Sequence, residues 1–500
     1  MRCGTIACLL ALVLMIAVPG LPAQDRPTAR PAPARLAEPL RVRERLGLAA
    51  QFEGVAGVSS LTIAVLDYGF DGLAAGRHYL PEGAEVVENY DPDFVRRFGL
   101  GDPEYRKPFE PGNRHGREMA QIVWAVAGAR PEGPKFLLLN ANGPTMLRRA
   151  VRYAIERKAD IILFSGSFEG GGNGDGQGPV ARIVSEAVDR GILWINAAGN
   201  YGGRVYNGPV RVLADGYLRL RDGSDVASLR FRNRVDENTV TITLTWNDYR
   251  AEEDAGTDKD LDLYVEDWAG RLVAAGDKVQ VPAARQPGPT ESRNPRERVV
   301  LADLAANPHV AADPDYCYRI RVRARRGRFT PADRLRILIT AARDVYVPTG
   351  ATLPEDAVTF VDATVGGEIY PPADLPGVIT VGDLGTSSSI GPTLDGRSKP
   401  EVVLEDSRSY FTDGQVSVGS SNAAAYFAGI AAVLKAVEPG LRPSDLVRLA
   451  RQGKPLPLPI NGNDRVARPP GPTRPPAGLG LHLWQTPTRA RLAEAVRGGR

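Results

Sequence analysis

The chain reads as an α/β protein: a parallel sheet flanked by helices, with an all-β sandwich inserted into it. Three observations predict this. Short, continuous apolar runs alternate with helical stretches from residue 58 to 205, the rhythm of a parallel sheet with helices on both faces. From 206 to 345 no helical period intervenes, and the strands alternate apolar with polar side chains. From 346 to 452 the α/β rhythm resumes, so the sandwich interrupts one domain instead of following it.

The elements follow in order. Residues 1–23 carry Arg2, an unbroken apolar run over 7–18 and the small-residue stretch Leu21-Pro22-Ala23. This is the pattern of a secretory signal peptide, and the run is too short for a spanning helix. It implies a secreted, periplasmic or cell-surface protein. An uncleaved membrane anchor is the other reading of the same residues. No other segment reaches spanning length, so no stable membrane insertion is expected once the signal is removed. Cys3 and Cys8 fall in the signal, which leaves Cys317 alone and no internal disulfide. Cys317 shares a strand face with Arg319, Arg321 and Arg323 and reads as structural.

Residues 24–57 form an N-terminal spacer, rich in Pro, Ala and Arg up to residue 40. Residues 61–66 are a buried strand that ends at Asp67. The runs 136–139, 161–164 and 192–195 are further strands, separated by helices near 116–128, 145–158 and 179–190. In the sandwich, Val240, Ile242, Leu244 and Trp246 fall on one face of a strand. Residues 260–265, 297–301, 316–324 and 335–339 are strands too. Then come a strand at 378–381 and a helix over 421–436. Residues 453–500 are a Pro-rich basic tail. The net charge of +3 is too small to select nucleic acid as a partner.

Four residues at the ends of these elements carry candidate chemistry. Ser421 opens a run of small apolar residues that reads as a buried helix. A hydroxyl at a helix N-terminus faces unsatisfied N–H groups and the positive end of the dipole, a setting that suits an oxyanion-forming nucleophile. Asp67 ends an apolar strand at the edge where ligands collect in open α/β folds; alone it also reads as a turn aspartate. His115 precedes a mostly apolar helix and can act as a base near neutrality; alone it also reads as a helix start. Asn200 follows Gly199 at a strand end, as a turn residue or as a side-chain donor to an alkoxide. The order Asp, His, Ser is one in which serine triads occur.

The sequence around these residues resembles the subtilisin-like serine proteases, the S8 peptidases. Residues 61–69 look like that family's aspartate block, and His115-Gly116-Arg117-Glu118-Met119-Ala120 looks like its histidine block. Ala197-Ala198-Gly199-Asn200 matches the oxyanion asparagine block, and Gly419-Ser420-Ser421-Asn422-Ala423 matches the serine block. The stretch from Ala159 to Gly166 is similar to the substrate-binding strand. The resemblance covers roughly half the chain. It implies a subtilisin-like fold and a secreted serine endopeptidase that needs no cofactor for its chemistry. Ser421 would be the nucleophile, His115 the base and Asp67 its orienting acid, with Asn200 in the oxyanion hole. Ser165, Gly166 and Ser167 would bind a protein or peptide substrate, with residues 162–167 as an edge for strand addition. The alternative is a catalytically inactive relative that binds peptides or glycans at the cell surface.

The match departs beside the chemical groups. Tyr68 stands where a small hydroxyl residue usually helps satisfy the aspartate. Arg117 replaces a threonine two residues after His115; a cation there is expected to lower the histidine's pKa or to favour acidic substrates. Residues 168–178 contain six glycines and are expected to form a mobile loop, substrate-gripping or simply solvated. In the sandwich, Asp258, Asp260 and Asp262 project to one face and offer hard oxygens to a structural Ca²⁺, or else a solvated acidic face.

Overall fold

The computed structural model describes residues 58–70, 85–87, 113–127 and 133–452, with breaks at 224, 253–254, 285, 308–315, 343–356, 405–406 and 412–415. The expected signal, most of the spacer and the C-terminal tail lie outside the described residues. The first half of the α/β layer holds strands β1 (Thr62–Asp67), β2 (Glu85–Val87), β3 (Lys135–Asn140), β4 (Ile161–Phe164) and β5 (Leu193–Ala197). Its helices are α1 (His115–Ala127), α2 (Gly143–Glu156) and α3 (Pro179–Val188). β4 and β5 are buried along their whole length, because helices cover both faces of the sheet. α2 buries Met146, Leu147, Ala150, Val151 and Ala154 as one stripe, with Arg148 and Arg149 half-buried and Arg152 exposed, so one face packs and the other turns toward solvent.

The antiparallel part comprises β6 (Val205–Pro209), β7 (Leu229–Asn233), β8 (Asn238–Trp246), β9 (Asp260–Glu266), β10 (Leu272–Gly276), β11 (Val279–Gln280), β12 (Glu291–Ser292), β13 (Arg296–Leu304), β14 (Tyr318–Arg326), β15 (Arg334–Ala341) and β16 (Val358–Phe360). Two sheets face each other, one ordered β10-β9-β14-β7-β16 and the other β13-β8-β15-β6. Val240, Ile242, Leu244 and Trp246 from β8 meet Leu261, Leu263 and Val265 from β9 in a single core, as the period-2 alternation predicts. β16 pairs with β7. The sandwich therefore takes in a strand beyond residue 345, where the sequence had the α/β rhythm resume. Three residues are too short to announce a sheet by their pattern.

The chain then returns through β17 (Ile379–Asp383) and β18 (Val402–Leu404) to α4 (Ser420–Val437) and α5 (Pro443–Gln452). The large sheet has the order β18-β17-β5-β4-β1-β3-β2, and all its pairings are parallel. The carboxyl ends of β1, β4 and β5 thus lie side by side along one edge. α4 is buried nearly all round and packs against α1 so closely that a Cβ on Gly429 would lie 2.5 Å from Val126 Cβ. No helix among the described residues is long and apolar enough to cross a membrane.

Candidate active site

Asp67 ends β1 and His115 begins α1. The turn between chain and helix is held by Gly116, whose N–H donates to Gly69 O (2.7 Å). A Cβ on Gly116 would lie 2.5 Å from Asp67 Cβ, so only glycine lets the helix start this close to the strand. His115 Nδ1 bonds Asp67 Oδ2 at 2.8 Å, and Asp67 Oδ1 accepts from the Tyr68 backbone N–H at 2.8 Å. The carboxylate is 2% exposed, while the imidazole side chain keeps 37% of its surface open. With Nδ1 committed to the carboxylate, Nε2 is the nitrogen left to handle a proton. Burial works against a charged imidazole. The Asp67 carboxylate, by its charge and its hydrogen bond, and the Glu118 charge more than offset this and raise the His115 pKa above 6.5. The expected lowering by Arg117 does not occur: that side chain is buried along α1, and the charges acting on the ring are negative.

Ser421 sits in the first turn of α4, half-buried, and its Oγ donates to Ser165 O at 3.2 Å. Ser165 follows β4, and β4 pairs with β1 with Leu66 opposite Phe164. His115 and Ser421 are therefore tethered to the ends of adjacent strands, about 5 Å apart in a sheet. Among the described residues Ser421 Oγ bonds this carbonyl and not the imidazole. Asn200 lies just beyond β5. Its Oδ1 accepts from the Ser420 N–H (3.1 Å) and Ser420 Oγ (3.0 Å), and Ser420 Oγ accepts in turn from Gly199 N–H (3.1 Å). Fixing the oxygen this way turns the amide's NH₂ to the other side. Gly419, at φ 140°, makes this possible: a Cβ there would lie 3.2 Å from the Asn200 carboxamide.

The segment Ser165-Gly166-Ser167 differs from the expected free edge. β4 is central, flanked by β5 and β1, so residues 162–164 have no open side. Beyond the strand end, Gly166 O accepts from Asn196 Nδ2 (3.0 Å) and Ser167 O from the Tyr68 hydroxyl (3.1 Å). Ser167 Oγ meets the Tyr201 hydroxyl at 2.9 Å. Asn196 and Tyr201 were not singled out from sequence. Asn196 had a signal, as a polar residue within the buried run Leu193-Trp194-Ile195-Asn196-Ala197. Tyr201 had none.

No protein-family model matches the chain, and no curated protein does. Among solved structures it is similar to the Clostridium perfringens CspB protease, at TM-score 0.50 and 16% identity, over 91% of this chain and 98% of that one. Weaker likenesses join it to the prenylagaramide maturation protease PagA (TM-score 0.35, 12% identity, 92% and 99% covered) and to MycP1 from Mycobacterium smegmatis (0.32, 16%, 86% and 82%). The fold is subtilisin-like.

Within this subtilisin-like fold one other expectation changes. The glycine-rich stretch is a strut between the α/β layer and the sandwich. Asn173 Nδ2 donates to Tyr249 O (3.0 Å), Tyr249 N–H donates to Asn173 Oδ1 (2.8 Å), and Thr243 Oγ1 donates to Glu169 Oε2 (2.8 Å). Gly171, Gly174, Gly176 and Gly178 supply its positive-φ turns. The three sandwich aspartates differ in exposure and in partners. Asp258 is exposed ahead of β9, Asp260 and Asp262 are buried, and Asp262 Oδ2 is taken by the Tyr264 hydroxyl (2.9 Å) and Arg325 (3.2 Å). Among the described residues no group of three or more His, Cys, Asp or Glu side chains is placed to hold a metal. Burial and the neighbouring Asp262 charge push the Asp260 pKa up to about 6.

Proposed function

We propose that this chain is a secreted serine endopeptidase that hydrolyses peptide bonds through an acyl-enzyme. The observation that carries it is the 2.8 Å His115–Asp67 bond, made through Nδ1 at the strand end next to the one that anchors Ser421. In this reading Ser421 Oγ leaves Ser165 O and attacks the scissile carbonyl carbon while His115 Nε2 takes its proton. Asp67 stabilises the imidazolium that forms. Asn200 Nδ2 and the Ser421 N–H, unbonded within the first turn of its helix, receive the oxyanion. The imidazolium then gives its proton to the leaving amine, the C–N bond breaks, and water repeats the cycle on the ester.

A fluorophosphonate probe tests this. It should label the wild type and fail on Ser421→Ala, and His115→Ala should slow labelling by several orders of magnitude. A folded but unlabelled wild type overturns the reading in favour of a binding protein. Export is proposed from residues 1–23 and is tested by finding the chain outside the cytoplasm with those residues removed.

A further inference from the structure

The backbone that a peptide would pair with is capped at all three carbonyls. Ser421 caps Ser165 O, and Ser421 must turn away to react. Asn196, fully buried, caps Gly166 O from the inside. The third cap has no part in the proposed chemistry. The Tyr68 phenol crosses from the end of β1 to the segment after β4, stands edge-on to Phe164 (5.9 Å, 85°) and donates to Ser167 O at 3.1 Å. A Cβ on Gly166 would lie 2.5 Å from the Tyr68 hydroxyl, although Gly166 is not among the positive-φ glycines. Phe164 Cζ would lie 2.7 Å away as well, so glycine is required there by the two rings and not by the backbone. Burial raises the phenol's pKa well above its ordinary value, so the hydroxyl remains a donor through neutral and mildly alkaline pH.

We propose that Tyr68 determines which peptides the site accepts, because its hydroxyl competes for the Ser167 carbonyl that an extended substrate needs for its own N–H. This rests on the endopeptidase reading. The acyl half of a substrate stays on Ser421 and is the half that has to be held. Along an extended chain, alternate residues direct their backbone groups to the same neighbour, so pairing with residues 165–167 uses the Ser165 and Ser167 carbonyls. The Ser165 carbonyl is released when Ser421 turns to attack. The Ser167 carbonyl is fully freed only if Tyr68 moves. Substrates that reach no further than Ser165 are unaffected, and longer ones gain nothing from their length.

The test compares aminocoumarin amides that share the residue at the scissile bond and carry either one or three residues on its acyl side. In the wild type kcat/KM should change little with length. In Tyr68→Phe, which keeps the ring and frees the carbonyl, the longer substrate should gain about tenfold over the shorter. Comparing lengths within each protein cancels any change in the nucleophile. A second measurement needs only the wild type: methylating the substrate nitrogen that would meet Ser167 O should leave kcat/KM within about threefold, since that carbonyl is already taken. A Tyr68→Phe length ratio at or below the wild-type value, or a larger loss on methylation, overturns the proposal while a labelled wild type upholds the endopeptidase. An unlabelled wild type overturns both.

Discussion

At His115 two influences oppose each other. Burial, the largest single influence, disfavours the imidazolium, and the Asp67 carboxylate bonded to Nδ1 together with the Glu118 charge outweighs it. The neutral ring is the base, so the labelling rate should rise with pH and its midpoint should lie above 6.5. Asp67→Asn should move that midpoint down and cut the rate by about 10⁴, because an amide neither stabilises the imidazolium nor holds the tautomer. A raised histidine pKa contributes stability that is complete at acid pH and lost as pH rises through the folded-state value. Asp67→Asn should therefore lower the melting temperature more at pH 5.5 than at pH 9; equal losses would show that the pair is not charged at acid pH. The substitutions beside these residues also resolve here. With Tyr68 in place of a small hydroxyl, its own backbone N–H satisfies Asp67 Oδ1, which a change of side chain leaves intact.

Among the elements, the start of α4 is the most constrained. Gly419 turns the chain at φ 140° against Asn200, and Ser420 is fully buried with its hydroxyl between Gly199 and Asn200. A methyl group at Gly419 would meet both an unfavourable backbone and the carboxamide 3.2 Å away. Gly419→Ala should therefore slow labelling at least tenfold in a protein that still folds, and Asn200→Ala should cost about 10²–10³. Labelling at the wild-type rate in both would remove Asn200 from the reaction. The elements themselves were legible: β1, β3, β4, β5 and the helices between them announce themselves by apolar runs and helical periods. β16 did not, since pairing to β7 and not its own three residues makes it a strand.

For the whole molecule, the glycine-rich strut decides how the sandwich is held. It bonds to Tyr249 and Thr243 on the sandwich side and, through Gly174 O, to Leu394 N–H (2.7 Å) on the other. Arg336 reaches across to Ile369 O at 2.8 Å and lies where a side chain at Gly174 would have to be. Asn173→Ala deletes both backbone bonds to Tyr249 and should cost about 1–3 kcal/mol. The expected readout is a melting temperature lower by a few degrees, with faster hydrogen exchange at the Tyr249 amide; unchanged exchange would show that the strut does not tie the two parts together. By itself the sequence determined the fold class, the interrupted α/β layer and the four residues at strand and helix ends, because burial on both faces of a sheet and period-2 alternation are written locally. Only the tertiary structure decided what those residues touch. That β4 is central, that Tyr68 reaches Ser167, that the glycines form a strut and that Asp258 is exposed while Asp260 and Asp262 are buried all depend on segments distant in sequence. No local pattern of residues carries the distance between two such segments.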